Sequence, residues 1–409
     1  MEKGNEIKTV VPALRFPEFQ GMNGWEEKKL EEIGNFIGGG TPNTAIQEYW
    51  DGGIPWYTPT EIKNGDLKSS NRTITEKGLK NSSAKLLPQG AILITTRATI
   101  GDVAISKKEC TTNQGFQSLV VNDSESNLFW FYWIIRHKEE LIKRASGSTF
   151  KEISKNEIIN ITSYSPKKQE QQKIAACLSS LDELIEATAQ KVDALKEHKK
   201  GLMQRLFPAE GKNVPDLRFP EFQGAKEWKE CSLDEYFDFK QGFQCPIEEQ
   251  YDKQELGMVR FIRIIDLTQP STPYRYINDP GNQYYINREN LFMVRYGDPG
   301  LVGIGYEGII ANNLFQLIPK KKINPYFFYF LFSKEKTRIK GLSSSTSLSA
   351  INFTSLKALK IVVSQNTDEQ QKIANCLFSL DELIEATSRK VEILKEHKKG
   401  LMQQLFPKI

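Results

Sequence analysis

Apolar residues recur at alternating spacings of four and three along residues 170–208. They are Ile174, Leu178, Leu181, Ile185, Thr188, Val192, Leu195, Leu202 and Leu206, with Lys199 at the one position that interrupts the run. This spacing is the a/d heptad pattern of a coiled coil. Pro208 marks the end of the segment, because proline cannot continue the helical hydrogen-bond ladder. The pattern predicts a long helix with an apolar stripe that it cannot bury alone.

The chain contains this segment a second time. Residues 369–407 repeat it with few changes and place Ile373, Leu377, Leu380, Ile384, Thr387, Val391, Leu394, Leu401 and Leu405 on the same stripe, again with a lysine, Lys398, at the gap. We expect the two helices to pair as an antiparallel coiled coil about a pseudo-twofold axis. In the alternative arrangement each helix packs only on its own domain. The residues predicted to pair are Ile174, Leu181, Ile185, Val192 and Leu195 with Ile373, Leu380, Ile384, Val391 and Leu394.

A second copied phrase opens each half of the chain. Residues 12–21 read PALRFPEFQG and residues 215–224 read PDLRFPEFQG, and Trp25 and Trp228 follow at the same spacing. We therefore predict a globular domain at 1–168, a helix at 169–208, a similar domain at 209–367 and a second helix at 368–409. The predicted fold class is α+β, a mixed α/β internal repeat.

The two stretches between these copies differ in sequence but follow one plan. The first contains GGGTP at 38–42, YWDGGIPWYTPT at 49–60, PQGAILITTR at 88–97 and TNQGF at 112–116, which predict short strands separated by glycine and proline turns. An apolar helix is predicted at 128–144. In the second stretch, residues 259–267 take the place of 54–62, Arg295 that of Arg97, Asn312 that of Asn113, and a helix at 325–340 that of 128–144.

Composition limits the class of protein. With 409 residues, 39% hydrophobic and 11% aromatic, the chain has enough apolar material for two globular domains. Its five cysteines include no Cys-x-x-Cys pair, which favours reduced thiols over a disulfide framework or a zinc site. No apolar run is long enough to span a membrane and the start has no apolar signal core, so we expect a cytoplasmic protein. A net charge of +4 permits nucleic-acid binding without requiring it.

Together these motifs resemble the specificity (S) subunits of bacterial type I restriction–modification systems. The resemblance rests on GGTP…YW.GGIPW.TP, on QGAILITTRATIGDVAI…TNQGFQSL, and on EQQKIA..L..LDELIE, which occurs twice. It implies two target-recognition domains that each read half of a bipartite double-stranded DNA sequence, and two helices that fix the unread spacer. The second stretch departs from the pattern, because Gln241-Gly242-Phe243 stands there without a matching tryptophan.

Candidate DNA contacts follow from hydrogen-bonding chemistry. Arginine suits guanine, and asparagine or glutamine suits adenine. The base-reading candidates are Thr58, Thr60, Thr96, Arg97, Asn113 and Gln114 in the first domain and Arg263, Arg295, Asn312 and Asn313 in the second. Hydroxyl-rich loops with Ser148 and Thr149, and with Ser345 and Thr346, suit phosphate contacts, which position the protein without specifying sequence.

Catalytic motifs are missing from the sequence. It has no phosphate-binding loop, and the nearest approach to an amino-methyltransferase motif, Asn324-Pro325-Tyr326-Phe327, lacks the second proline and is interpreted as a helix start capped by Asn324. His198 and His397 are predicted on the outer face of the helices. The sequence predicts no catalytic residue, metal site or cofactor in this chain.

The resemblance assigns the chemistry to partners. Two methyltransferase subunits would hold S-adenosylmethionine and methylate adenines, and restriction subunits would use ATP and Mg²⁺. A different class of function is a coiled-coil scaffold that joins two protein-binding domains. A self-sufficient methyltransferase–nuclease is opposed by the missing motifs.

Overall fold

The computed structural model describes residues 9–63, 67, 69–147, 151–269, 271–343 and 350–409. Contacts divide the chain into two compact units. Unit 1 comprises Met1–Thr188 with Lys390–Ile409, and unit 2 comprises Ala189–Arg389. Each unit therefore combines one of the two dissimilar stretches with the first part of the long helix that follows it and the last part of the other long helix.

Unit 1 is built from three small sheets and short helices. The sheets have the strand orders β1-β2-β10, β3-β9-β6-β7 and β5-β4-β8. β4 pairs with β8 in parallel, at Trp56–Thr111 and Tyr57–Thr112, whereas the other pairings in the unit are antiparallel. The elements are β1 (Thr9–Val10), β2 (Trp25–Lys29), α1 (Leu30–Ile33), β3 (Gly34–Gly38), β4 (Trp50–Tyr57), β5 (Arg72–Ile74), α2 (Glu76–Lys80), β6 (Ile92–Ile94), β7 (Val103–Ile105), β8 (Thr111–Thr112), β9 (Gln117–Val121), α3 (Asn127–Arg136), α4 (Lys138–Arg144), α5 (Lys155–Ile159), β10 (Thr162–Ser165) and the start of α6 (Lys168–Leu206).

The prediction of a single helix at 128–144 is wrong, because the helix is interrupted at one residue. His137 leaves helical geometry, with φ −106° and ψ 20°, and separates α3 from α4. Its ring packs on Trp133 at a centroid distance of 4.4 Å. Its two nitrogens face the carbonyl oxygens of Trp133 and Pro407 at 2.9 and 3.1 Å. The helix breaks where a buried side chain is held by these contacts, which apolar periodicity does not reveal.

Unit 2 repeats this plan. Its sheets have the orders β11-β20, β12-β19-β16-β17 and β14-β13-β18-β15, with β13 and β18 parallel. The helix predicted at 325–340 is confirmed, and Asn324 caps it by accepting a hydrogen bond from the Phe327 amide at 3.0 Å. The elements are β11 (Lys229–Ser232), β12 (Phe237–Gln241), β13 (Met258–Ile262), α7 (Ile264–Thr268), β14 (Arg275–Asn278), β15 (Tyr285–Ile286), β16 (Leu291–Val294), β17 (Val302–Gly303), β18 (Gly308–Ile310), β19 (Leu314–Pro319), α8 (Pro325–Lys340), α9 (Phe353–Ala358), β20 (Lys360–Val363) and the start of α10 (Thr367–Leu405).

A cluster of aromatic rings and one ion pair closes the core of unit 1, and we call it the closing cluster. Trp25, Phe129 and Phe406 pack with centroid distances of 5.2–6.4 Å. Glu170, at the start of α6, accepts hydrogen bonds from Arg15 at 2.7 and 2.8 Å and from the Trp25 indole at 3.2 Å. The side chains of Arg15 and Glu170 are only 7% and 4% exposed. The copied phrase and its tryptophan thus fasten the first strands to the long helices.

Unit 2 has the same closing cluster, made from the repeat-related residues. Trp228, Phe327 and Phe207 pack with centroid distances of 5.3–6.0 Å. Glu369 accepts hydrogen bonds from Arg218 at 2.6 and 2.9 Å and from the Trp228 indole at 3.1 Å. The end of α6 supplies Phe207 to unit 2, just as the end of α10 supplies Phe406 to unit 1.

The long helices run antiparallel within each unit, as predicted. In unit 1, Ile174 and Leu178 share a core with Leu405, and Lys398 binds Asp182 at 2.5 Å, so the numbering rises on one helix as it falls on the other. In unit 2, Ile373 and Leu377 share a core with Leu206, and Lys199 binds Asp381 at 2.5 Å. The lysines at the gaps in the heptad stripe are therefore half-buried ion-pair partners. The ten residues predicted to pair are all buried or half-buried.

Candidate functional site

Three loops of unit 1 meet at one edge of its sheets and carry the base-reading candidates of the first domain. Backbone hydrogen bonds join them: Asn113 N donates to Tyr57 O at 3.0 Å, and Thr96 N donates to Gly115 O at 2.8 Å. We call residues 57–61, 95–101 and 112–116 the recognition loops of unit 1. The structure thus brings together candidates that the sequence spreads over more than fifty residues.

These loops approach each other too closely for larger residues. A Cβ added to Gly39 would overlap the Asn113 carbonyl oxygen, and a Cβ on Gly115 would lie 2.8 Å from Cγ of Pro59. Ala98 has φ +60°, in the left-handed region that few non-glycine residues occupy. The glycine-rich motif of the sequence is therefore a packing requirement of the recognition loops.

The candidate side chains of unit 1 differ in how far they reach the surface. Arg97, Gln114 and Thr60 are exposed, Thr58 and Asn113 are half-buried, and Thr96 is 2% exposed. Thr58 Oγ1 donates to Glu61 at 2.7 Å, and Asn113 Oδ1 accepts from Gly115 N at 2.8 Å. These two side chains shape the loops, whereas Arg97 and Gln114 present polar groups to solvent. DNA contact by each of these residues stays a prediction.

Arg97 lies beside a surface groove of about 770 Å³. Its Nε binds Glu152 Oε1 at 2.7 Å, and the two side chains are 47% and 43% exposed. Lys138 and Lys151 also line the groove, with Lys138 bound to Asp102 at 2.5 Å. The groove next to the recognition loops is therefore lined by three basic side chains and by Glu152, with two of the basic groups paired to carboxylates.

Unit 2 has the same loop framework, which corrects two of our positional matches. Arg295 N donates to Asn313 O at 2.8 Å, and Ala311 N donates to Ile262 O at 2.9 Å. These bonds match those of Thr96 to Gly115 and of Asn113 to Tyr57. Arg295 therefore stands where Thr96 does, and Asn312 where Gln114 does, so the matches of Arg295 with Arg97 and of Asn312 with Asn113 are wrong.

The residue that stands in the place of Arg97 is Tyr296, which sequence reasoning missed. Tyr296 precedes Gly297, whose φ is +104°, as Arg97 precedes Ala98. Tyr296 and Ala350 form a bridge equivalent to that of Arg97 and Glu152. The match failed because it paired arginine with arginine, and the 199-residue offset of the repeated helices, which leads from Arg97 to Tyr296, was the signal that could have corrected it. We call residues 262–266, 294–300 and 310–314 the recognition loops of unit 2.

Both candidate arginines of unit 2 are held within the unit. Arg295 donates to Gln241 Oε1 at 2.9 Å and to Ile351 O at 3.3 Å. Its guanidinium also lies 4.7 Å from the ring centroid of Phe353. Arg263 donates to Asp266 at 3.1 and 3.2 Å in the position where Thr58 binds Glu61. Asn312 and Asn313 are half-buried on the adjacent loop.

The phosphate-contact candidates Ser148, Thr149, Ser345 and Thr346 lie outside the described residues. Their described neighbours border the recognition loops. Ser146 bridges to Glu152 in unit 1, and Ser343 bridges to Ile351 in unit 2.

A pair of smaller basic grooves lies where the end of a long helix meets the apolar helix of each unit. We call these the helix-end grooves. That of unit 1, about 310 Å³, is lined by Ile135, Arg136, Lys395, Lys398, Lys399, Met402 and Gln403. That of unit 2, about 320 Å³, is lined by Lys196, Lys199, Lys200, Met203, Gln204, Ser333 and Lys334. The residues that the long helices contribute are the same in both grooves, so this part of the surface has the same chemistry in the two units.

Among the described residues, no group of three or more His, Cys, Asp or Glu side chains could hold a metal ion. His198 and His397 are exposed, as predicted. All five cysteines are free, and burial raises the pKa of the Cys110 thiol to about 12. Within the described part of the chain, no helix is both long and apolar enough to span a membrane.

Comparison with known proteins supports one family. Residues 22–197 and 225–396 each match the type I restriction modification DNA specificity domain. The MjaIX type I restriction enzyme specificity subunit of Methanocaldococcus jannaschii is 28% identical over 405 residues, or 93% of this chain and 92% of that protein. The EcoR124I/EcoR124II specificity subunit of Escherichia coli is 30% identical over 166 residues, or 39% of this chain and 41% of that protein.

The fold is also similar to that of a solved structure. The crystal structure of a type I restriction–modification S subunit from M. genitalium covers 98% of this chain and 100% of its own, with a TM-score of 0.64 at 18% identity. The two matched domains coincide with the two halves of the internal repeat and span most of the chain. The chain therefore belongs to the type I restriction–modification DNA specificity family.

Proposed function

We propose that the chain recognises a bipartite double-stranded DNA target, with unit 1 reading one half-site and unit 2 the other. The observation that carries this proposal is that the recognition loops of the two units share one backbone hydrogen-bond pattern but differ in their side chains. Base identity is read through side-chain donors and acceptors. Two domains of one fold that recognise different DNA sequences are expected to share a backbone and to differ in the side chains that contact bases.

The long helices set the unread spacer in this proposal. Each contains 39 residues, which corresponds to about 58 Å at 1.5 Å per residue. Half-sites on one face of DNA recur about every 34 Å. A helix of this length suits two short half-sites separated by about one helical turn or more.

Partner subunits perform the chemistry in this proposal. Methyltransferase subunits that bind S-adenosylmethionine methylate an adenine in each half-site, and restriction subunits that use ATP and Mg²⁺ cleave unmodified DNA. The chain acts with them in the bacterial cytoplasm as a recognition subunit without catalytic residues of its own.

The helix-end grooves support a stoichiometry of two methyltransferase subunits. Because both grooves present the same lysine, methionine and glutamine side chains, one acidic partner surface can bind each of them. Lys395→Glu with Lys399→Glu should remove one methyltransferase subunit from the complex, and Lys196→Glu with Lys200→Glu should remove the other. Native mass spectrometry measures the loss, and each variant is the control for the other. Retention of both subunits in both variants would contradict this docking.

The function itself is tested by co-expressing the chain with its methyltransferase subunit in a host without DNA methylation. Native-read sequencing then maps modified adenines across the genome. The expected result is a motif with two short defined blocks around a fixed undefined gap. A stable complex of the two proteins without any sequence-specific methylation would favour the scaffold function instead.

A further inference from the structure

We propose that two repeat-related pairs of side chains, Arg97 with Gln114 in unit 1 and Tyr296 with Asn312 in unit 2, determine which bases the two units read. In this assignment Arg97 contacts a guanine, and Asn312, oriented by Tyr296, contacts an adenine. The inference rests on the proposed function and assigns base specificity within it. We call these residues the reading pairs.

The backbone around the two reading pairs is the same. Thr96 N donates to Gly115 O at 2.8 Å in unit 1, and Arg295 N donates to Asn313 O at 2.8 Å in unit 2. The carbonyl oxygens of the same two residues also accept equivalent hydrogen bonds. Thr96 O accepts from Ile153 N, and Arg295 O accepts from Ile351 N. A left-handed residue, Ala98 or Gly297, follows each reading position. A side chain that differs between two identical backbones is free to carry sequence information.

The donor groups of Arg97 match the acceptors of a guanine. Its Nε forms an ion pair with Glu152 Oε1 at 2.7 Å, and no described residue accepts a hydrogen bond from its two terminal NH₂ groups. Guanine presents two acceptors, N7 and O6, in the major groove, and arginine donates to both. An ion pair between side chains that are nearly half exposed adds little to stability. This weak pair therefore leaves Arg97 available to a ligand.

Gln114 lies on the neighbouring loop, where a hydrogen bond orients it. Its Oε1 accepts a hydrogen bond from Thr41 Oγ1 at 2.6 Å, so its amide NH₂ points away from that hydroxyl. Arg97 and Gln114 are both exposed, whereas Thr96 between the loops is buried. Unit 1 thus presents the guanidinium of Arg97 and the side-chain amide of Gln114 on neighbouring loops.

The reading pair of unit 2 has different chemistry. The Tyr296 hydroxyl donates to Asn312 Oδ1 at 3.2 Å, which leaves the Asn312 NH₂ group and a second lone pair on Oδ1 available. Adenine presents an acceptor at N7 and a donor at N6, and an amide pairs with both. The arginine of this loop, Arg295, stands one residue earlier and is engaged by Gln241, Ile351 and Phe353. It therefore supports the loop and does not read bases.

The experiment compares methylation motifs of variants in the full complex of this chain with its methyltransferase subunits. Arg97→Ala should relax one guanine position of one half-site, with roughly a 10- to 100-fold loss of discrimination there and no change in the other half-site. Asn312→Ala should relax one adenine position of the other half-site. Tyr296→Phe should give a smaller loss at that same position, because it removes only the hydrogen bond that orients Asn312.

Arg97→Lys separates base reading from phosphate contact, because it keeps the charge and loses the forked geometry. It should relax the guanine position nearly as much as Arg97→Ala. Lys77→Ala is the matched control, since it removes another exposed ion pair of unit 1, with Glu48 at 2.7 Å, and should leave the motif unchanged. An unchanged thermal unfolding transition in each variant shows that the fold is intact.

Two outcomes would overturn the inference. In one, Arg97→Ala lowers methylation equally at all sites while the motif stays the same. In the other, both Arg97→Lys and Asn312→Ala leave the wild-type motif intact. If the wild-type complex itself gives no bipartite motif, the proposed function fails instead, and the two failures are distinguished by that wild-type measurement.

Discussion

The closing clusters and the recognition loops of this protein show two opposite uses of an internal repeat. In the closing clusters, Arg15 and Arg218 bind Glu170 and Glu369 with nearly the same distances, and the same three rings pack on each other in both units. In the recognition loops the backbone is kept while the side chains change, so that Tyr296 stands in the place of Arg97. The residues of the closing clusters are buried and must fit each other, whereas the reading positions are exposed in unit 1 and half-buried in unit 2, and need to fit a ligand. Burial thus decides which residues of the repeat can diverge.

The largest effect is expected on assembly. A fragment of residues 1–210 lacks Lys398, Met402, Leu405 and Phe406, which complete unit 1, but contains the identical residues at the end of α6. Two fragments should therefore exchange these helix ends and form a homodimer with a dissociation constant below about 10 μM, or roughly 7 kcal/mol of association free energy. Analytical ultracentrifugation measures this constant. A fragment that stays monomeric at tens of micromolar would show that the helix ends are not interchangeable.

The next effect concerns the buried ion pairs. Glu170→Gln removes the carboxylate that binds Arg15 and leaves a buried guanidinium without its counter-charge, which should lower the free energy of unfolding by about 3–5 kcal/mol. Glu369→Gln should have the same effect through Arg218, because that pair is equally buried. Urea unfolding of the two variants measures both. Losses that differ by more than about 2 kcal/mol would mean that the two closing clusters are not equivalent.

A pH-dependent difference between the units is expected at His137. Burial lowers the pKa of His137 below its usual value, so the folded chain binds this proton only at a lower pH than the unfolded chain does. In the unfolded chain this histidine takes up a proton near pH 6.5. The unfolded state then binds more protons, and the stabilisation present above about pH 6.5 is lost as the pH falls toward the pKa of the folded state, by up to about 1.4 kcal/mol per pH unit.

His137→Gln provides the measurement. Its stability relative to the wild-type chain, from urea unfolding at pH 7.5 and 5.5, should improve on acidification, since glutamine does not titrate. The equivalent residue of unit 2 is Glu335, which binds Arg338 at 2.5 Å, so this effect belongs to unit 1. A constant difference between the two proteins at both pH values would contradict it.

The smallest effect distinguishes two otherwise matched ion pairs. The Tyr132 hydroxyl donates to Asp182 at 2.7 Å while Asp182 binds Lys398, but Phe330 stands at the corresponding position beside Asp381 and Lys199. Tyr132→Phe should cost about 1 kcal/mol of unfolding free energy. Phe330→Tyr is its counterpart and should be neutral or stabilising if its hydroxyl reaches Asp381. A stability loss for Phe330→Tyr as large as that for Tyr132→Phe would show that the two sites pack differently.

Much of this architecture was predictable from the sequence. The heptad stripe predicted both long helices and their antiparallel pairing, and Asn324-Pro325 predicted the start of α8. The copied phrase was recognised, but its partner was not, because nothing in the order of residues connects Arg15 with Glu170. The break at His137 and the ion pairs of Lys199 and Lys398 were missed for the same reason. Each depends on a residue that is remote in the chain.

The reading positions mark the boundary between the two kinds of information. The sequence by itself determined the repeat, the helices, the family resemblance and the region in which the recognition residues lie, because these depend on local periodicity and on copied motifs. Only the tertiary structure decided that Tyr296, and not Arg295, corresponds to Arg97, that Arg295 bonds to Gln241 and Ile351 within the unit, and that Thr96 is buried. Residue types are not kept at these positions, so their equivalence is fixed by backbone hydrogen bonds between strands, which the linear sequence does not record.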